Sequence, residues 1–240
     1  MRLTEFKVLS FDCYGTLVDW ETGICDALSP YLEKHGLELS RDQILESFAR
    51  HEAAQEAETP GMIYSELLAR VHRRLTAEWG VAASAEDHRA FGGSVGDWPV
   101  FADTPAALAY LKRHYKLVIL SNVDRASFAA TSRRLGVAFD AVYTAEDIGS
   151  YKPDLNNFRY LLAALGKEGY GPGDVLHVAQ SLFHDHKPAN EAGLHSAWID
   201  RRQGAPGWGA TPPPADGVHW DFRFVSLAEL VEAHRREASG

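Results

Sequence analysis

The chain has 240 residues, of which 45% are hydrophobic and 24% charged, so it can bury a full globular core. Its 33 acidic and 24 basic residues give a net charge of −9 without a basic cluster, which disfavours nucleic acid as a partner. Two cysteines, Cys13 and Cys25, make no disulfide framework, and we find neither a signal-peptide segment nor an apolar run of membrane-spanning length. These features predict a cytoplasmic protein in a reducing compartment.

The first strand-like run, residues 6–11, ends in a single acid, Asp12. Gly15 then permits a sharp turn of the backbone, and Thr16 places a hydroxyl beside the acid. Ligands bind at the carboxyl ends of strands in an open parallel sheet, so Asp12 is a candidate nucleophile that could form an ester with a substrate. The alternative is that Asp12 only caps the turn after the strand.

Residues 20–96 show helical patterns and no strand pattern. The helices are predicted at 22–35, 40–58, 63–79 and 84–95, and Ser40 with Gln43 fits a capping box at the start of the second. We interpret this segment as a helical cap domain inserted after the first strand, with residues 1–19 and 97–240 forming an α/β core. The glycine-rich stretch 92–96 is predicted to be a hinge between them, with an ordinary surface loop as the alternative.

Strands alternate with helices in the rest of the chain. Strand patterns occupy 116–120, 141–144, 175–179 and 196–200, and helical patterns occupy 104–114, 125–135, 155–165 and 187–192. This alternation predicts an α/β protein whose Rossmann-like parallel sheet is flanked by helices. The proline-rich stretch 204–217 is predicted to be a loop.

Polar residues follow the ends of these later strands. Ser121 and Asn122 could bind an anion, or cap the next helix. Lys152 precedes Pro153, which favours a positioned cation over a solvated one. The fourth strand run leads to another polar group: Gln180, Ser181, His184 and Asp185.

The ordered motifs DCYGT, SN, YKPD and a polar loop containing an acid resemble those of the haloacid dehalogenase superfamily. The chain is most similar to the type II 2-haloacid dehalogenase branch, and the likeness covers nearly its whole length. It implies that Asp12 is the nucleophile, that Thr16 orients it, that Lys152 is its electrostatic partner, and that Asp185 supports hydrolysis. It also implies substrate contacts from Ser121, Asn122 and an arginine of the cap, for which Arg50 is the best match and Arg41 the rival.

One position separates two branches of the superfamily. Its phosphatases generally carry an acid two residues after the nucleophile and hold Mg²⁺ between acids, whereas Tyr14 stands at that position here. Tyr14, Gln180 and Ser181 are therefore expected to contact the substrate, and Trp20 is expected to form a wall of the pocket.

The sequence thus predicts a hydrolase that cleaves the carbon–halogen bond of a small 2-haloacid without a cofactor or metal. The alternatives are an Mg²⁺-dependent phosphatase of the same superfamily and a non-enzymatic binding protein that has kept the scaffold. We expect a small anionic substrate as the partner, no nucleic acid and no membrane, and we leave a homodimer open.

Overall fold

The computed structural model describes residues 1–214 and 216–240. In this part of the chain the strands form a six-stranded sheet in the order β3-β2-β1-β4-β5-β6, and every neighbouring pair is parallel. The α/β prediction is confirmed. The strands are β1 (Val8–Phe11), β2 (Lys116–Ser121), β3 (Ala141–Thr144), β4 (Val175–Ala179), β5 (His195–Ile199) and β6 (Phe222–Phe224).

Helices connect the strands and cover the sheet. Alternate residues of β1 belong to two hydrophobic clusters: Val8 packs with residues of the eighth and ninth helices, and Leu9 packs with residues of the fifth, sixth and tenth. The helices are α1 (Trp20–Lys34), α2 (Arg41–Glu58), α3 (Tyr64–Glu78), α4 (Ala85–Gly92), α5 (Thr104–Leu111), α6 (Arg125–Leu135), α7 (Ala145–Ile148), α8 (Leu155–Gly166), α9 (Lys187–Glu191) and α10 (Leu227–Ala238).

The sheet order places β1 at the centre, between β2 and β4. The chain builds the sheet outward from β1 through β2 and β3, and then returns to its other side with β4. This reversal is a topological switch point, where the connections that leave two adjacent strands run in opposite directions and open a crevice at the carboxyl edge of the sheet. The segments after β1 and β4 therefore line the two sides of that crevice.

Residues 20–96 contain α1 to α4 and no strand, as the pattern predicts. α1 begins two residues earlier than expected because the Asp19 carboxylate accepts a hydrogen bond of 3.1 Å from the Thr22 amide and caps the helix. α4 ends at Gly92, and a short 3₁₀ turn, Ser94–Asp97, replaces its predicted last residues. The division into core and cap, and the hinge at 92–96, stay predictions.

Sequence patterns did not predict two elements near the C-terminus, β6 and α10. β6 is three residues long, too short for a periodicity to be seen, and it pairs with β5 at the edge of the sheet. Residues 204–214 form no helix or strand, in agreement with the predicted loop, and Ala215 lies outside the described residues. Within the described parts of the chain, no helix has the length and apolar character needed to cross a membrane.

Gly92 of α4 lies against the backbone of α3, which gives a test of packing between these helices. A Cβ atom built on Gly92 would lie 2.3 Å from the Ser65 carbonyl oxygen, whereas one on Gly166 would meet nothing within 4 Å. Gly92→Ala is therefore expected to destabilise the protein by about 1–3 kcal/mol, through a shift of the helix backbones. Gly166→Ala is the matched control and is expected to be neutral or slightly stabilising. Urea unfolding of both variants measures the difference, and equal midpoints would contradict the predicted close approach.

Candidate active site

Asp12 follows β1 at the crevice and is 6% exposed. Gly15, at a φ of +95°, turns the chain so that Thr16 lies back against the acid. The Thr16 hydroxyl donates a hydrogen bond of 2.6 Å to Asp12 Oδ2, and it accepts one of 2.9 Å from the Gln180 amide. The Thr16 hydroxyl thus holds Asp12 Oδ2 in place, and the backbone that follows β4 fixes the Thr16 hydroxyl.

Lys152 is 1% exposed and joins the two acids of the crevice. Its ammonium donates hydrogen bonds of 2.9 Å to Asp12 Oδ1, 2.7 Å to Asp185 Oδ1 and 3.0 Å to the Leu120 carbonyl. An ammonium carries three protons, so these bonds use all of them. The side chain is therefore fixed between the two carboxylates.

Asp185 lies in a π-helical turn, Leu182–His186, directly after β4. The Ser181 hydroxyl caps this turn by accepting a hydrogen bond of 2.9 Å from the His184 amide. Asp185 Oδ1 lies 2.9 Å from His177 Nε2 as well as bonding to the lysine. Its second oxygen, Oδ2, is buried and has no hydrogen-bond partner among the described residues, so it is free to accept a proton or a hydrogen bond.

The charge of Lys152 between its two partner acids favours an ionised Asp185. Burial works against its charge, but Lys152 and His177 outweigh that effect and hold the pKa of Asp185 well below its usual range. Burial raises the pKa of Asp12, and Lys152 and Thr16 oppose that shift. Burial also disfavours the charged lysine, yet the two carboxylates raise the pKa of Lys152 above its usual value. One cation therefore lies between two acids in a buried site.

Ser121 and Asn122 follow β2, at the same edge of the sheet. Asn122 Oδ1 accepts a hydrogen bond of 2.6 Å from the Lys152 amide, and Asn122 Nδ2 donates one of 2.9 Å to the Lys152 carbonyl. The remaining amide proton of Asn122 goes to Glu56 Oε1 at 3.1 Å. Asn122 thus positions the lysine backbone, while the buried Ser121 hydroxyl has no partner in the described chain.

Two glutamates of α2 and a tyrosine of α3 form the opposite wall of the crevice. Glu52 is 3% exposed and Glu56 is 7% exposed, and both line the cavity above Asp12. The Tyr64 hydroxyl donates a hydrogen bond of 2.5 Å to Glu52 Oε1. Sequence reasoning missed this wall, although the spacing of the two acids, one helical turn apart, places them on the same face of α2.

Known proteins resemble the chain in sequence and in fold. A family model described as haloacid dehalogenase-like hydrolase matches residues 6–193, more than half of the chain. The chain belongs to this family. It resembles the crystal structure of the L-2-haloacid dehalogenase PA0810 with a TM-score of 0.77 at 25% identity, over 98% of this chain and 100% of that chain. An L-2-haloacid dehalogenase from Xanthobacter autotrophicus, with chloropropionic acid covalently bound, gives a TM-score of 0.77 at 19% identity, over 96% and 98% of the two chains.

The match to a curated relative of this hydrolase family is shorter. An (S)-2-haloacid dehalogenase of Pseudomonas putida is 28% identical over 129 residues, which cover 52% of this chain and 55% of the relative. The chain thus spans about half the length of that relative. These comparisons establish the family and the fold, and the substrate is a matter for proposal.

The structure of this haloacid dehalogenase-like hydrolase brings most of the predicted site residues to the lining of one small cavity. Thr16 lies behind Asp12, to which it is hydrogen-bonded, and does not line the cavity itself. The predicted residues that do line it are Asp12, Tyr14, Trp20, Ser121, Asn122, Lys152, Ser181 and Asp185. Their proximity is a finding, and their roles in turnover stay predictions.

Arg50 and Gln180, two residues of this hydrolase that were predicted to contact the substrate, do not line this cavity. The side chain of Arg50 is 59% exposed and pairs with Glu78 at 2.9 Å, so the structure does not bring this predicted substrate contact to the cavity. Residues two positions apart on a helix point in nearly opposite directions, and α2 turns Glu52 rather than Arg50 towards the cavity. Gln180 contributes its backbone to the site, but its side chain lines a neighbouring cleft with Trp198.

The acids of the crevice do not fit a divalent cation. Asp12 and Asp185 are the only two strand-end carboxylates that the sequence offered for such a site, and the Lys152 ammonium already bridges them. Nowhere in the described residues do three or more acidic, histidine or cysteine side chains form a group that could hold a metal ion. We therefore assign no catalytic step to a metal.

Glu52 makes the stability of this hydrolase depend on pH. Burial raises its pKa from 4.5 to about 8, and the hydrogen bond from Tyr64 opposes the shift. Between these values the folded chain keeps a proton that the unfolded chain releases, so the free energy of unfolding falls as pH rises. Glu52→Gln is expected to reduce this decline by a few kcal/mol, since one pKa unit is worth about 1.4 kcal/mol.

Urea unfolding at about pH 5 and about pH 9 measures the decline for both proteins. Glu46→Gln, on an exposed position of the same helix, is the matched control and should follow the unmodified protein. A decline that is the same in all three proteins would contradict a protonated Glu52.

Proposed function

We propose that the chain hydrolyses the carbon–halogen bond of a small 2-haloacid through an ester on Asp12, without a cofactor. The observation that carries this proposal is the bridge from Lys152 to both Asp12 and Asp185, which leaves Asp185 Oδ2 without a partner among the described residues. Such a site holds a nucleophile and, beside it, an ionised base that can receive a proton. The haloacid dehalogenases among the similar structures support the choice of bond.

The first step is a displacement at carbon. A carboxylate oxygen of Asp12 attacks C2 of the substrate, a carbon–oxygen bond forms, and the halide leaves with the electron pair of the broken bond. In the second step water attacks the carbonyl carbon of the Asp12 ester, and Asp185 receives the proton through Oδ2. Cleavage of the ester releases the 2-hydroxyacid and restores the Asp12 carboxylate, so the net products are the hydroxyacid, halide and one proton.

Tyr14 favours this reaction over phosphoryl transfer. Its hydroxyl lies 2.8 Å from Thr131 Oγ1, and its ring packs edge-on against Trp98 at 5.8 Å between centroids. Burial raises the pKa of Tyr14 well above its usual value. A phenol in this setting is a poor substitute for the carboxylic acid that would protonate the leaving group of a phosphate ester.

A substrate panel tests the proposal. The protein is incubated with 2-chloropropionate, fluoroacetate and p-nitrophenyl phosphate, each with EDTA or with added Mg²⁺, and released halide and phosphate are measured. We expect halide release that EDTA does not change, and no phosphate release. Phosphate release that EDTA abolishes would establish the phosphatase alternative instead, and release of neither product would contradict both.

The two cysteines bear on the compartment in which the protein acts. Cys13 is buried and Cys25 is half-buried, and neither is in a disulfide. We therefore propose that the enzyme acts in the cytoplasm, where thiols stay reduced.

A further inference from the structure

The charged and amide donors at the cavity are already engaged within the protein. Lys152 uses its three protons on Asp12, Asp185 and the Leu120 carbonyl. Asn122 uses both amide protons, on the Lys152 carbonyl and on Glu56. A substrate that enters the cavity therefore finds no free cation among the residues that line it.

The wall opposite the nucleophile carries two carboxyl groups and no cation. Glu52 and Glu56 project from one face of α2 into the cavity, and both are more than nine-tenths buried. Glu56 Oε2 lies 3.8 Å from His184 Nε2, too far for a hydrogen bond. The Tyr64 hydroxyl satisfies only one oxygen of Glu52.

Unpartnered polar atoms around the same cavity also indicate a ligand. Asp185 is fully buried, and His184 is 8% exposed, yet Asp185 Oδ2 and His184 Nε2 have no hydrogen-bond partner in the chain as described. Burial lowers the pKa of His184 to about 4, so its imidazole is neutral near pH 7. Because buried polar groups are normally hydrogen-bonded, these atoms are places where a bound molecule would complete the site.

The charge of the cavity is unfavourable for a substrate that carries only a carboxylate. Lys152 compensates one of the two acids that it bridges, and the second leaves a negative charge. Arg50, which could have balanced the charge from α2, pairs with Glu78 on the exposed face of the helix. A substrate with its own cation would balance its carboxylate and hydrogen-bond to the acceptors of the wall.

We propose that the preferred substrate is a small 2-haloacid bearing an ammonium group, and that Glu52 and Glu56 bind this group and determine specificity. This inference rests on the proposed function. The ammonium lies against α2 with its protons on the two glutamates, and the reacting carbon faces Asp12. The substrate carboxylate meets the free Ser121 hydroxyl at the end of β2.

A proton should leave the site when such a substrate binds. Burial raises the pKa of Glu52 to about 8, so this carboxyl group is largely protonated in the free protein near pH 7, and burial beside Glu52 raises the pKa of Glu56 well above its usual value. A bound ammonium favours their ionised form. The other titratable groups that face this pair are Tyr64, Tyr151, His184 and Lys152, with Asp12 and Asp185 across the cavity.

A pair of unreactive ligands tests whether Glu52 and Glu56 bind an ammonium group, without any turnover. β-Alanine and butyrate have nearly the same shape, but β-alanine carries an ammonium where butyrate has a methyl group. Calorimetric titration of the protein should give at least about tenfold tighter binding of β-alanine, with proton release seen as a dependence of the heat on the buffer. The double variant Glu52→Gln/Glu56→Gln should lose both effects, and Arg50→Gln on the same helix should keep them. Tighter binding of butyrate, equal binding, or no binding of either ligand would overturn the proposal.

A matched pair of substrates tests the same preference in turnover. 3-Amino-2-chloropropionate and 2-chlorobutyrate differ only by ammonium and methyl, and kcat/KM for halide release should favour the amino compound by at least about tenfold. The double glutamine variant should lose this preference mainly through a higher KM for the amino compound, whereas Arg50→Gln, outside the cavity, should keep it. Faster turnover of 2-chlorobutyrate by the unmodified protein would overturn the inference and support the proposed function. Discrimination between β-alanine and butyrate in a protein that releases no halide would support the inference about the wall and count against the proposed reaction.

Discussion

Asp12→Asn is expected to lower the rate of halide release from 2-chloropropionate by about 10⁴-fold or more. An amide oxygen is a far weaker nucleophile than a carboxylate, and no second acid in the cavity is placed to replace it. Asp185 also lines the cavity, but in the proposed reaction it is the base that receives the proton of water. The variant should therefore be left without a working nucleophile.

The measurement combines rates with a trap for the ester. Single-turnover mixing followed by an acid quench should add the mass of the propionate group to the peptide that contains Asp12 in the unmodified protein, and to no peptide of Asp12→Asn. Asp19→Asn, at the cap of α1, is the control for loss of a nearby carboxylate outside the cavity. Turnover of Asp12→Asn within tenfold of the unmodified rate would refute the nucleophile assignment.

Lys152→Met is expected to abolish halide release and also to lower the free energy of unfolding by about 3–5 kcal/mol. Methionine fills a similar volume, but it leaves the buried carboxylates of Asp12 and Asp185 without their shared cation. The lowered pKa of Asp185 stabilises the native protein above the pKa of the unfolded state, and that contribution is lost as pH falls through its folded value. The variant loses this stabilisation at neutral pH, where both acids repel each other.

Urea unfolding near neutral pH and at about pH 5 measures this effect, and the loss should be smaller at the lower pH, where the unpaired acids take up protons. The double variant Asp12→Asn/Lys152→Met removes one acid together with the cation. It should regain at least about 1 kcal/mol relative to the sum of the single losses, because the two residues are in direct contact. Strictly additive losses would contradict a mainly electrostatic role for the lysine.

Much of the core could be predicted because strand and helix periodicities are local properties of the sequence. The β3 and β4 runs and α6 were predicted with the bounds that the structure shows, since alternating or continuous apolar residues are bounded there by polar ones. β6 was missed because its three residues gain their stability from pairing with β5 and not from a pattern of their own. The close approach of Gly92 in α4 to the Ser65 carbonyl is a tertiary contact that no local pattern reports.

The candidate active site was likewise predicted only in part. Asp12 and Asp185 follow β1 and β4, which are adjacent parallel strands, so strand prediction places both acids at one edge of the sheet. Lys152 follows β3 only after α7, and its pairing with Asp12 was predicted from the family resemblance. Arg50 and Glu52 stand on a helix that could present either residue to the cavity. Only the rotation of α2 about its axis, set by the packing of Leu45 and Phe48 into the core, decides between them.

The sequence by itself determined the family motifs, the parallel sheet and the meeting of Asp12 with Asp185 at one edge of that sheet, because these follow from local patterns and from the strand ends that they define. Only the tertiary structure decided which side chains of α2 form the cavity wall opposite Asp12. Helix packing turned an arginine out to Glu78 and turned two glutamates in above the nucleophile. Burial then changed the chemistry of those glutamates, because a carboxyl group removed from water holds its proton to higher pH unless a cation lies beside it.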